Sequence, residues 1–196
     1  MSFTALLERP GVFSFTQKLN PMTVTLYRRL VEDHVVVPVG GGVLDIGCGV
    51  GAHRPLFPGR RYSGIDINPA YVDEANRRHG GGFHVMDAGA LQFPAGAFDA
   101  AFTVATCHHL DDRTVAAMVV EAIRVVGAGG AVHIVDPVMP VSKRAPLKRM
   151  LFANDRGRCQ RTVRQLTELL ARAARVTCVE LRSGVLHDVC YVRLSA

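Results

Sequence analysis

Apolar residues fall into short runs along this chain, separated by polar stretches with helical spacing. Runs near 43–46, 61–65, 82–85, 98–104 and 130–135 predict β-strands, and the stretches near 69–79 and 112–126 predict helices between them. Near-continuous apolar strands alternating with helices imply parallel strands covered on both faces. Residues 1–34 read as helical pieces broken at Pro10-Gly11 and Asn20-Pro21, with Leu26, Tyr27 and Leu30 on one buried face. Beyond residue 160, Val163, Leu166, Leu169 and Leu170 make a helical stripe running through Ala174. Two more strands are predicted near 176–181 and 187–194, joined tightly through Ser183-Gly184.

The first strand runs into Val43-Leu44-Asp45-Ile46-Gly47-Cys48-Gly49-Val50-Gly51. Glycines lack Cβ, so this turn can take positive φ and let another molecule approach its backbone. The strict two-residue spacing differs from the G-x-G-x-x-G of dinucleotide turns, and no Lys-Ser or Lys-Thr follows, which excludes a phosphate-cradling P-loop. An acid at Asp45 suits a ligand with a cationic end. Later strands also run into acids: Asp66, 15 residues beyond Gly51, then Asp87 after Phe83-His84-Val85-Met86, and Asp136 after Ala131-Val132-His133-Ile134-Val135. Ligands of open α/β sheets bind beyond such carboxyl ends, where the strand order reverses.

Taken in order across roughly residues 40–137, these segments resemble the motifs of the class I S-adenosylmethionine-dependent methyltransferases of small-molecule type. The resemblance implies one α/β domain spanning 1–196: a Rossmann-like seven-stranded, mostly parallel sheet with an antiparallel last strand and helices on both faces. Within it, residues 1–34 are expected as a helical lid and 137–160 as a basic insertion on the substrate side. The implied cofactor is S-adenosyl-L-methionine, leaving S-adenosyl-L-homocysteine as product. The implied cofactor-binding residues are Asp45, Gly47, Cys48, Gly49, Gly51, Asp66, Ile67, Asp87, Ala88 and Thr103. In that pattern the glycine loop passes beneath the amino-acid part, Asp66 accepts the ribose hydroxyls, Ile67 packs on the adenine and Asp87 stands at the adenine-contacting position.

Similar small-molecule methyltransferases carry a His-His-Leu run after the fourth strand, as His108-His109-Leu110 does here, near the expected methyl group. Imidazole titrates near neutrality, so His109 is the first candidate for a general base and His108 the second. The competing reading has one of them capping the following helix or packing under the cofactor, with Asp111 or Asp112 as N-cap. His133 falls inside a buried strand and reads as a core residue, and His53, His79, His84 and His187 belong to no constellation. One departure from the family pattern follows Gly51: Pro55 and Pro58 leave room for little more than one helical turn.

The 196 residues, 48% of them apolar, suffice for a core, and no run approaches the ~20 apolar residues of a membrane span. With no signal-peptide pattern at the start, a cytoplasmic location is expected. Five cysteines without a C-x-x-C pair argue against a disulfide framework, and adjacent Cys107-His108-His109 make a poor ligand set, so no metal is expected. The net charge of +6 is localised, because Lys143, Arg144, Lys148, Arg149, Arg156, Arg158, Arg161 and Arg164 face only Asp155 between residues 137 and 164. An anionic acceptor, an RNA backbone and a solvated helix face are three readings of that run. Phe152 is its only ring, which counts against single-stranded nucleic acid. Thr103-Val104-Ala105-Thr106 also lacks the Asn/Asp-Pro-Pro-aromatic signature of adenine-N6 methylation. The expectation is methyl transfer by in-line displacement to a small molecule, oxygen ahead of nitrogen or carbon. An RNA methyltransferase and a non-catalytic cofactor-binding member are the alternatives.

Overall fold

The computed structural model describes residues 21–140, 159–184 and 188–195. Its strands are β1 (Gly42–Ile46), β2 (Arg61–Asp66), β3 (Phe83–Val85), β4 (Ala100–Val104), β5 (Ala131–Val138), β6 (Arg175–Ser183) and β7 (Asp188–Ser195). They form one sheet of order β3-β2-β1-β4-β5-β7-β6. The first five strands pair in parallel, and β7 inserts antiparallel between β5 and β6. This is the doubly wound, seven-stranded Rossmann-like architecture expected, with its strand order reversing between β1 and β4. Every residue of β1 and of β5 is buried, which is why both read as largely apolar runs, interrupted only by Asp45 in the first and by His133 and Asp136 in the second.

Among the described residues four helices flank the sheet: α1 (Pro21–His34), α2 (Pro69–His79), α3 (Asp112–Val126) and α4 (Val163–Ala171). Leu30 and Val31 of α1 and Val72 and Ala75 of α2 pack on one face, against Phe57, Tyr62, Phe102 and Tyr191. On the other face, Met118, Val119 and Ala122 of α3 join Leu166, Leu169 and Leu170 of α4 over Leu44, Ile46 and Ile134. Local chemistry sets the helix ends. Asn68 caps α2 and Pro69 starts it, with Gly80 at φ 79° ending it, while Thr162 and Gln165 form a reciprocal capping box on α4.

Some boundaries moved for tertiary reasons. The fourth strand begins at Ala100 rather than 98, because Asp99 is occupied on the first strand: its N–H donates to Gly42 O, and its carboxylate accepts from Gly42 N at 2.7 Å. The fifth continues to Val138 because β7 pairs with it as far as Val138 opposite Asp188. The stripe expected through Ala174 closes at Ala171. Residues 1–20 of the expected lid and 141–158 of the expected insertion lie outside the described residues. Among those described, no helix is long and apolar enough to cross a membrane.

Candidate active site

The glycine loop after β1 folds over the end of β2, with Gly47 N and Cys48 N both donating to Ile65 O at 2.8 and 2.9 Å. Gly47, Gly49 and Gly51 take φ of 73°, 53° and 76°, the left-handed region anticipated for them. Asp66 closes the loop from β2: its Oδ2 accepts from Gly49 N and its Oδ1 from Asn68 N, each at 2.9 Å. Burial pushes the Asp66 carboxyl above its ordinary range, while these N–H donors pull it back. The loop also abuts the end of β4. A Cβ on Gly47 would meet Thr106 Oγ1 at 2.5 Å. Three strand ends therefore converge on one turn.

Around this loop, Ile67 follows Asp66 with its apolar side chain 73% exposed. Asp87 lies two residues past β3, exposed, its Oδ1 accepting from Gly89 N at 2.8 Å, with Ala88 half-buried beside it. Cys48 is buried, and burial followed by the charges of Asp45 and Asp66 holds its thiol far above the usual range. It is an inert sulfhydryl, so Cys48 serves the loop through its backbone. The shortened helix after Gly51 is a single 3-10 turn, Arg54–Leu56, carrying Pro55.

Asp45 is not an open carboxylate. It is 1% exposed, and strand alternation turns it with Val43 toward the α1/α2 face. There Tyr62 OH donates to its Oδ2 at 2.5 Å, and His53 Nδ1 lies 3.6 Å from the same oxygen. Burial, and then the Asp45 charge, raises the Tyr62 hydroxyl well above its ordinary range, so it donates as a neutral phenol. His53, which belonged to no constellation in the sequence, is thus a partner of the loop acid. The Arg54 guanidinium lies over the Tyr62 ring at 5.4 Å.

Beyond β4 the chain passes through Ala105, the one non-glycine with positive φ (53°) among the described residues, into a 3-10 turn at Cys107–His109. Such a conformation costs about 1–3 kcal/mol and tends to mark functional turns. Asp136 anchors this turn from β5: its Oδ1 accepts from Cys107 N at 3.0 Å and lies 3.2 Å from His108 Nδ1. Burial raises the Asp136 carboxyl, and the His108 contact opposes the shift. Asp136 is therefore 3% exposed inside the sheet, behind the turn, rather than facing a ligand at a strand end. His108 is 4% exposed, whereas His109 is exposed, its ring centroid 4.0 Å from that of His108. Neither histidine caps α3; Asp111 does, accepting from Thr114 N at 2.8 Å. Thr103, at the end of β4, is buried, and its hydroxyl has no hydrogen-bond partner among the described residues.

The basic run divides. Arg161 is 7% exposed and bonded inside the chain, and Arg164 pairs with Glu168 on the surface. Lys143, Arg144, Lys148, Arg149, Arg156 and Arg158 lie outside the described residues. His133 is a satisfied core residue, 3% exposed, with Nδ1 3.0 Å from Tyr191 OH.

Residues 44–134, from β1 into β5, match a family model described as a methyltransferase domain. Over those residues the chain carries a domain similar to the class I S-adenosylmethionine-dependent methyltransferases. The methyltransferase domain is similar to the 2-methyl-6-phytyl-1,4-hydroquinone methyltransferase of Synechocystis sp., at 35% identity over 118 residues, covering 57% of this chain and 36% of that protein. It is also similar to a tRNA (carboxymethyluridine(34)-5-O)-methyltransferase of Xenopus tropicalis, at 36% identity over 96 residues, 48% of this chain and 15% of that one. The chain thus spans well under two thirds of the curated relatives it matches. Among solved structures, a S-adenosylmethionine-dependent methyltransferase of Methanosarcina mazei superposes with a TM-score of 0.69 at 20% identity, over 83% of this chain and 96% of that one. That likeness is one of fold.

The geometry of the methyltransferase domain fits its cofactor. The glycine loop presents backbone without side chains, and Asp66 keeps unused acceptor positions. Ile67 offers an apolar surface beside it, and the unpartnered Thr103 hydroxyl stands at the end of β4. Among the described residues, no group of three or more His, Cys, Asp or Glu is placed to hold a metal ion. Tyr62 and His53 were not singled out by the sequence, and Arg161 was read there only as one cation of the basic run; folding brings the first two onto Asp45 and the third onto the histidine turn. The β1/β2 register sets Val43 opposite Tyr62, which brings the ring near the loop acid.

Proposed function

We propose that this domain transfers the methyl group of S-adenosylmethionine to a small-molecule acceptor, with oxygen the favoured atom. The observation that carries the reading is the clasp of Gly49 by Asp66, built against the turn that leads to His108 and His109. The cofactor would rest on Gly47, Cys48, Gly49 and Gly51, with Asp66 and Ile67 on its nucleoside side, Asp87 and Ala88 beyond them, and Thr103 at the end of β4. Asp45 supports the loop from beneath through Tyr62 and His53.

When bound, the cofactor supplies a methyl carbon already activated by its sulfonium, so the protein's work is alignment and exclusion of water. His109, the exposed imidazole of the pair, takes the acceptor's proton as the new bond forms. His108, fixed on Asp136, holds the turn and packs beneath the His109 ring. Contacts to the acceptor are assigned to the 1–34 and 137–160 segments, and the cations of the second favour an anionic group.

The test is transfer of label from methyl-tritiated S-adenosylmethionine to a panel of substituted phenols and hydroquinones, a class chosen for the hydroquinone relative. Labelled product from wild type, and little from His109→Ala, is expected; binding of the cofactor without transfer to any member would refute small phenolic acceptors. A tRNA acceptor is the second reading, favoured by the tRNA-methylating relative and the basic run. It predicts RNA binding that weakens steeply with salt.

A further inference from the structure

Arg161 entered the sequence reading as one cation among eight, suited to an anionic acceptor. In the structure its side chain is spent entirely within the chain. An arginine has five N–H donors, and all five are engaged. Nε donates to Asp112 Oδ1 at 2.9 Å, and Nη1 donates to Cys107 O at 2.7 Å and Cys159 O at 3.1 Å. Nη2 donates to Leu110 O at 2.8 Å and Asp112 Oδ1 at 2.7 Å. The carbonyls of Cys107 and Leu110 bracket His108 and His109 in sequence, so one rigid fork grips the turn on both sides of the imidazole pair.

The backbone around Arg161 reinforces the grip. Cys159 N donates to the carbonyl of His108 itself at 3.0 Å, and Arg161 O accepts from Met139 N, just past β5, at 2.9 Å. The chain entering α4 therefore runs as a brace between the end of β5 and the histidine turn. Asp136 holds that turn from the sheet side. The Asp112 end of the fork is more exposed, its side chain 72% accessible against 9% for Arg161. A lysine, with three donors radiating from one atom, cannot span these acceptors.

We propose that Arg161 is a positioning residue for methyl transfer: it fixes the His108–His109 turn and couples the imidazoles to Met139 at the end of β5 and to the residues that enter α4. The proposal rests on the methyl-transfer reading above. It also predicts that Arg161 is lost to anion binding, so acceptor charge recognition falls to other cations of the run.

The test compares the full chain with Arg161→Lys and Asp112→Ala, well below each variant's melting temperature. Four quantities are read: S-adenosylmethionine affinity by calorimetry, turnover with the labelled cofactor, its pH profile, and imidazole resonances of ¹⁵N-histidine-labelled protein against pH. Arg161→Lys should lower kcat roughly tenfold to a hundredfold, the scale of ångström misplacement at a reacting centre. The KM for S-adenosylmethionine should stay within about twofold, and the pH limb of kcat and the His108 and His109 resonances should shift together. Asp112→Ala leaves the carbonyl contacts and should move the same readouts in the same direction by less, and it carries the test alone if Arg161→Lys does not fold. Turnover per folded molecule within about twofold of wild type, with unmoved imidazole titrations, overturns the proposal. Wild type that binds no S-adenosylmethionine defeats the functional reading instead, and the imidazole titrations then judge Arg161 independently.

Discussion

Replacing Asp66 with alanine removes the carboxylate that joins the glycine loop to the start of α2. Each of its oxygens already accepts one backbone N–H, from Gly49 and from Asn68, at 2.9 Å. A carboxylate has about four acceptor positions, so roughly two are left, one per oxygen, which is the demand of a vicinal ribose diol. Hydrogen bonds to a charged group contribute about 1.5–3 kcal/mol each, so losing both diol contacts costs about 3–6 kcal/mol. That is a ~10²- to 10⁴-fold weaker Kd. Calorimetry with S-adenosylmethionine and S-adenosylhomocysteine, beside a thermal melt that confirms folding, measures it. A Kd within about threefold of wild type in a folded Asp66→Ala protein refutes the assignment.

For an acceptor that loses a proton, His109→Ala should lower turnover by ~10²- to 10⁴-fold while leaving cofactor affinity in place, the ordinary scale of general-base catalysis; unaltered turnover removes it from the mechanism. His133 is buried neutral, its pKa lowered from 6.5 to about 4, chiefly by burial. The unfolded chain therefore takes this proton first, so the contribution is present above pH 6.5 and lost as pH falls toward 4. At 1.36 kcal/mol per pH unit the loss is about 3 kcal/mol. Urea melts of wild type and His133→Gln at pH 7, 5.5 and 4 should diverge by that amount; parallel pH curves would contradict it. Gly47→Ala forces a side chain into φ 73° and against Thr106, and should destabilise by about 1–3 kcal/mol. Adding Thr106→Ala should restore part of that loss in thermal melts, and no restoration would show that the contact is not limiting.

Much of this molecule is written in local pattern. The glycine loop, the acid at the end of β2 and the His-His turn are each short segments whose meaning depends on near neighbours, and each stands where its pattern indicated. The helix caps at Asn68 and Thr162 and the single turn around Pro55 are local in the same sense. The acids were harder. Asp45, Asp66 and Asp136 look alike in sequence, each at or near the carboxyl end of an apolar strand. One is enclosed by Tyr62 and His53, one clasps the loop, and one anchors the histidine turn.

The difference between those three acids is a matter of strand register and alternation, which settle which face a side chain takes and what meets it there. Arg161 shows the same limit: among seven other cations it reads as surface charge, yet its acceptors lie up to 54 residues away. By itself the sequence determined the sheet, the glycine loop and the resemblance to a family, because periodicity and glycine spacing act over a few residues. Tertiary structure alone decided which polar groups are enclosed and which remain open, because burying a charge depends on partners that only folding brings together.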